Sequence, residues 1–341
     1  MSNFGKKGVL LVNLGTPDAP TVSAVRKYLK QFLLDPRVID YPWIARQILI
    51  RGIILPFRSR SSAKLYKRLW EEKGSPLKFH GYKVAEELQK MMGDEYHVEL
   101  AMRYQTPSID GAIDKMMKAG VSEIVVFPMF PQYASASTGS AHEEVMRVIS
   151  TYKNIPPMKI INSFYDNPQM LDVIVENSKP FNFDDYDHII FSYHGIPKRH
   201  LRNSDISCKY CQKVDNCCGK LSKVNQFCYS AQSYATTRAL VERLKLPADR
   251  YTTSFQSRLG REEWTTPYTI DVIEGLAEKG AKKLLVFSPA FVADCLETTV
   301  EIKFEYQEDF EKAGGEHIDL VPSLNDNPKW IEAIRDMVLE A

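Results

Sequence analysis

The sequence predicts an α/β protein of two similar lobes, each built on a parallel sheet, facing one another across a cleft. Three observations carry that prediction. Strands expected at 9–15, 123–127, 189–191 and 283–287, each built on a short apolar run, alternate with segments of helical period, the pattern of strand–helix–strand units. The runs are continuous rather than alternating, as strands covered on both faces require. The order also recurs. A helix, Gly120, a strand and Pro128 in the first half are echoed by a helix over 271–279, Gly280, a strand and Pro289 in the second.

Taken in order, the first strand, 9–15, ends in Asn13-Leu14-Gly15-Thr16-Pro17. A helix over 22–33 follows, and Asp35-Pro36 stops it because the residue before proline is pushed out of the helical region. Residues 41–58 contain no acidic side chain. Wound as a helix, they put Arg46, Gln47 and Arg51 on one narrow arc and Trp43, Ile44, Ile48, Leu49 and Ile50 around the rest. That pattern suits a membrane-surface element, the lip of an apolar pocket, or a buried helix with snorkelling arginines. Gly74-Ser75-Pro76-Leu77 turns into a helix that runs to 92. A strand over 98–102 ends at Arg103-Tyr104, and a helix over 109–119 leads to the strand at 123–127. A polar loop through Pro131, Gln132, Tyr133, Thr138 and Ser140 then opens another helix. In the second half the strand at 189–191 ends at His194, and a closing helix spans 328–339. The expected division is 1–180, with an apolar lip at 41–62, and 181–341, with a cysteine insert at 208–228 and the closing helix. The crossing is expected at 181–186.

Bulk composition narrows the function classes. A chain of 341 residues can hold two domains, and 44% hydrophobic with 26% charged residues is ordinary for a globular protein. A net charge of +1 gives no long-range field for nucleic acid. No uncharged stretch reaches the ~18–20 residues of a membrane-spanning helix, and the first apolar run lacks a signal-peptide cleavage pattern. The chain therefore reads as cytoplasmic, with room for contact at a membrane surface.

His194 is presented where an apolar strand is stopped by Gly195 and Pro197, at the sheet edge where open α/β sheets bind ligands. A histidine in such a turn is as often a satisfied polar group. Glu297, Glu301, Glu305 and Glu308 recur at intervals of four, four and three, a file of carboxylates along one helix face that is either a solvated acidic face or, since it starts at the same sheet edge, part of a site. An imidazole with a neighbouring carboxylate suits a divalent metal with open positions, or a proton-abstracting pair. Arg103-Tyr104, Pro131-Gln132-Tyr133 and Phe255-Gln256-Ser257-Arg258-Leu259-Gly260-Arg261 with Trp264 would gather round the cleft, and such walls suit a flat apolar ligand carrying carboxylates. Cys208, Cys211, Cys217, Cys218 and Cys228 crowd one segment while Cys295 stands apart. A C-x-x-C pair with further cysteines supplies four thiolates for zinc or an iron–sulfur cluster. Cys217 and Cys218 are interchangeable for one place.

At these residues the sequence resembles the ferrochelatases. The motifs are Leu11 to Pro20, Phe32 to Asp35, Gly74 to Leu77, Pro131 to Tyr133, Ser192 to Pro197, Phe255 to Arg261 and Ala293 to Thr298. The proteobacterial form is the one most resembled. The resemblance implies a chelatase-type fold with Rossmann-like halves. It also implies insertion of Fe2+ into protoporphyrin IX, with His194 and Glu297 as a metal-site pair on opposite walls of the porphyrin cleft. Glu301 and Glu305 would relay protons or metal, and Leu14, Arg103, Tyr104, Gln132, Tyr133, Gln256, Arg258 and Trp264 would contact porphyrin. The 41–58 segment falls where the family has an apolar lip that touches the membrane, implying peripheral association with the cytoplasmic membrane. Animal members carry a 2Fe–2S cluster largely on a C-terminal extension that is not seen here. Some bacterial members hold one internally, so 2Fe–2S on Cys208, Cys211, Cys218 and Cys228 is expected over zinc. The rivals are a cobalt or nickel chelatase and a haem carrier.

Overall fold

The computed structural model describes residues 5–258, Gly260 and 262–341. Within the Phe255 to Arg261 motif, Leu259 and Arg261 lie outside the described residues. The chain forms two compact units: Met1–Phe130 with Ser135–Ser163 and Asp326–Ala341, and Pro131–Ala134 with Phe164–Asn325.

Each unit holds a four-stranded parallel sheet. In the first, β1 (Lys6–Gly15), β2 (Tyr96–Tyr104), β3 (Val121–Pro128) and β4 (Met158–Ile160) lie in the order β2-β1-β3-β4. In the second, β5 (His188–His194), β6 (Tyr251–Gln256), β7 (Lys283–Phe287) and β8 (His317–Leu320) repeat it as β6-β5-β7-β8. The central strands are the apolar runs: Leu10, Val12 and Val126 in one unit, and Ile190, Leu284 and Val286 in the other, are wholly buried. The duplication reaches the loops. Gln105 and Ser257 both adopt left-handed φ, at 71° and 66°, and a Thr-Pro turn with a cis peptide follows each. Pro107 O accepts from Met102 N and Pro267 O from Phe255 N, so each turn closes back on its own strand.

Three strands escape the sequence signal for physical reasons. β6 is rich in threonine and serine, and its buried hydroxyls are satisfied sideways, as Ser254 Oγ is by Thr269 Oγ1 at 2.9 Å. β4 and β8 have three and four residues, too short to show a period.

The expected domain boundary is corrected. Helix Pro168–Ser178 follows β4 but packs in the second unit against Tyr229–Leu244. Helix Pro328–Glu340 follows β8 but packs in the first against Pro76–Met92, with Trp330 fully buried 6.4 Å from the Phe127 ring. Both helices start alike, with Asn167 or Asn327 as a side-chain cap before a proline. Their apolar faces show that each must be buried, but not on which sheet.

The 41–58 segment is helical over Trp43–Ile48, widens to a π-helix over Leu49–Ile54 and continues as Leu55–Leu69. The expected basic face is divided. Arg51 is exposed, whereas Arg46 is buried and donates to the carbonyls of Ile39 and Tyr41. Also outward stand Trp43, Ile44, Ile48 and Phe57, the last 78% exposed.

Candidate active site

His194 is the last residue of β5 and pairs in register with Gln256 of β6. Its Nδ1 lies 2.6 Å from the Gly195 carbonyl. A carbonyl only accepts, so Nδ1 carries a proton, and in the neutral ring the lone pair is on Nε2, which has no partner among the described residues. Glycine at 195 is required by close approach: a Cβ there would sit 2.7 Å from Gln256 O and 3.3 Å from the Trp264 ring. Gly195 N donates to that same Gln256 oxygen at 2.7 Å.

Glu297 lies in the first turn of the π-helix Leu296–Tyr306, which follows β7 of the sheet that carries His194. Both residues belong to the second unit. The helix start is held by Cys295 N donating to Thr298 Oγ1 at 2.9 Å. Cys295 is buried with its thiol against the Glu297 carboxylate. Burial first, and then that charge, push the thiol's pKa up. π-Segments of this kind recur at functional sites.

Glu301 sits one turn on, and four donors converge on its carboxylate: Ser257 N at 2.8 Å, Ser257 Oγ at 2.5 Å, Tyr306 OH at 2.8 Å and Gln256 Nε2 at 3.2 Å. A carboxylate has about four acceptor sites, so the relay expected of Glu301 meets a group already occupied. Burial and the Glu301 charge together push the Tyr306 phenol up.

The expected porphyrin contacts divide by burial. Gln256 is 1% exposed, Gln132 2% and Tyr104 2%, which leaves them inside the protein. Gln132 Nε2 donates to Thr236 Oγ1 at 3.0 Å. Tyr104 OH donates to Asp35 Oδ2 at 2.9 Å, beside Arg103 Nη2 at 2.7 Å and Ser140 Oγ at 2.5 Å on the same oxygen. Asp35, read from the sequence as a helix stop, is thus the anchor of a four-residue network. Leu14, Tyr133 and Trp264 are partly exposed, and Arg258 is exposed with its guanidinium 4.8 Å from the Tyr268 ring. The indole N–H of Trp264 is buried with no partner among the described residues.

A family model described as Ferrochelatase matches residues 6–341. The ferrochelatase of Legionella pneumophila (strain Lens) is 44% identical over 98% of this chain and 99% of its own length. That of Coxiella burnetii (strain CbuK_Q154) is 43% identical over 99% of this chain and 94% of its own. The chain belongs to the ferrochelatase family. Among solved structures, SirB from Bacillus subtilis with Fe3+ shares the fold with a TM-score of 0.51 at 12% identity, over 98% of this chain and 95% of that one. Ferrochelatase activity is the insertion of ferrous iron into porphyrin in haem synthesis.

In this ferrochelatase the cysteine insert is prefolded by two polar side chains. Asp205 accepts from Ser207 N and Oγ and from the amides of Tyr210 and Cys211, and these bonds hold its carboxyl down to about 2. Asn225 ties Ser222 to the carbonyls of Cys217 and Lys220. Cys211, Cys217 and Cys228 line one small cavity, and Cys217 Sγ lies 3.8 Å from Cys218 Sγ. Interaction with Cys228 draws the Cys218 thiol down, while burial pushes Cys211 up to about 11. Cys208 is exposed. Among the described residues no group of three or more His, Cys, Asp or Glu side chains stands in ligand geometry. The insert also meets the Pro131–Ala134 loop. Gln232 Oε1 accepts from Tyr133 N and its Nε2 donates to Gln226 O, both at 2.6 Å, and the Tyr133 and Phe227 rings lie 5.8 Å apart. Among the described residues no helix is long and apolar enough to cross a membrane.

Proposed function

We propose that His194 and Glu297 form the centre at which this ferrochelatase inserts Fe2+ into protoporphyrin IX, the last step of haem biosynthesis. One observation supports it most: the Nδ1 contact with the Gly195 carbonyl leaves His194 Nε2 as an open base or metal ligand. Two pyrrole protons must leave before a divalent ion can occupy four nitrogens. Bending the macrocycle exposes those lone pairs at a strain of ~1–5 kcal/mol, offset by binding of the rest of the ring. His194 Nε2 accepts a pyrrole proton or holds the incoming iron, and the Glu297 carboxylate neutralises the charge that passes. Glu305, farther along the π-helix, carries protons or metal onward.

The thiols of the insert suit a soft metal centre, and Cys211, Cys217 and Cys228 line one cavity with Cys218 Sγ 3.8 Å from Cys217 Sγ. Cys211, Cys217 or Cys218, and Cys228 would hold a 2Fe–2S cluster, with Cys208 the fourth ligand if its turn folds inward and the Cys217–Cys218 pair supplying two if it does not. Zinc is the alternative. When bound, a 2Fe–2S group supplies a one-electron centre and a crosslink between the two prefolded turns. The exposed Trp43, Ile44, Ile48 and Phe57 favour peripheral contact with the cytoplasmic membrane from its inner face.

The test is His194→Ala. The purified variant should still bind protoporphyrin, followed by quenching of its fluorescence, and should insert no iron. Near-normal turnover would sink the assignment.

A further inference from the structure

Gln256 bonds to both elements that carry the proposed pair, the end of β5 and the π-helix. Its carbonyl accepts from Gly195 N at 2.7 Å, one residue past His194. Its Oε1 accepts from Ser192 Oγ at 2.7 Å, two residues before it. Its Nε2 donates to the Glu297 carbonyl at 2.7 Å and to Glu301 Oε2 at 3.2 Å. A primary amide offers two N–H groups and one carbonyl, and here both ends are engaged inside the protein at 1% exposure.

We infer that Gln256 is the positioning residue that sets Glu297 relative to His194. Through its side chain, β5 is fastened to the first turn of the π-helix; through its main chain, to the residue after the histidine. The inference rests on the His194–Glu297 reading above. Its chemistry is specific to the amide. Methionine has nearly the same length and volume but no donor and only a weakly accepting sulfur, taking the Gln256 donor from the Glu297 carbonyl and leaving the Ser192 hydroxyl to Thr269. Glutamate keeps the acceptor for Ser192 but turns an oxygen toward two oxygens, the Glu297 carbonyl and the Glu301 carboxylate. Glu301 retains Ser257 and Tyr306 in either variant, so the helix stays attached while the setting of its first turn is released.

The experiment is a double-mutant cycle read by steady-state iron insertion, using Gln256→Met, Gln256→Glu, Glu297→Gln and the two pairs. Gln256→Met should lower kcat by about 10²-fold, the loss that ~1 Å of misplacement can cause. The KM for porphyrin should stay within about twofold, because a wholly buried amide does not touch the substrate. In the Glu297→Gln background the same change should cost less than about threefold, since independent sites add within ~0.5 kcal/mol and coupled ones do not. Gln256→Glu should behave alike, and it serves if the methionine variant fails to fold. Losses that multiply in the double variants, with Glu297→Gln itself impaired, would overturn the positioning role and leave the pair standing. A porphyrin KM raised about tenfold or more with kcat kept would also overturn it, making Gln256 a substrate contact. Near-normal turnover of Glu297→Gln would instead remove the pair on which the inference rests.

Discussion

Glu301 offers the sharpest division between a proton relay and a structural anchor, and Glu301→Gln tests it. The carboxylate receives four donors from Gln256, Ser257 and Tyr306. An amide in its place keeps one oxygen and turns an NH2 toward donors that need an acceptor. About two of the four hydrogen bonds are then broken, each worth ~1.5–3 kcal/mol when the acceptor is charged, and part is recovered because the site is only half-buried and water can enter. The net cost is about 2–3 kcal/mol. For a unit of this size ~1 kcal/mol moves the midpoint by ~2–4 °C, so the second unit should melt about 5–10 °C lower, measured by calorimetry with the two transitions resolved. Iron insertion below that range should fall less than about tenfold, since the groups holding Glu297 through Gln256 remain. The opposite pattern, an unchanged melting profile with a loss of ~10²-fold or more in kcat, is the signature of a positioned acid–base group and would refute the anchor.

Gly195→Ala should fold but lose at least ~10-fold in iron insertion, because a Cβ 2.7 Å from Gln256 O must part β5 from β6 where His194 leaves the sheet; wild-type kcat would show that the strands have slack there. Visible absorption and metal analysis of the purified protein should show iron and sulfide with charge-transfer bands lost in Cys228→Ser; a colourless protein with one zinc per chain would replace 2Fe–2S by zinc. Phe57→Glu should weaken co-sedimentation with anionic lipid vesicles by at least ~10-fold while leaving iron insertion from soluble porphyrin intact, since it removes a side chain 78% exposed and adds a charge; undiminished sedimentation would place the membrane contact elsewhere.

What could be read from the sequence follows from what buries each element. β1, β3, β5 and β7 are central strands filled by apolar runs, and the periodicity finds them. β6 carries hydroxyls where the central strands carry apolar side chains, with Ser254 answered by Thr269 of the next helix and Thr252 by His188, so Thr252, Thr253 and Ser254 read as loop. The exchange of terminal helices between units is hidden for a different reason: Trp330 and Ile331 announce a buried face, but no local pattern names the surface that covers it. The functional motifs carry a related ambiguity. Gln256, Gln132 and Tyr104 stand at strand ends or in the loop after β3, as ligand contacts do, and in each the polar group is turned into the protein. His194 occupies the same kind of position, and its Nδ1 is answered by the adjacent carbonyl while Nε2 is not. A polar residue at the carboxyl edge of a parallel sheet can hold the site together or act in it. The division is made by counting which of its donors and acceptors the fold has already used, and that count is the ground for proposing that His194 acts while Gln256 holds.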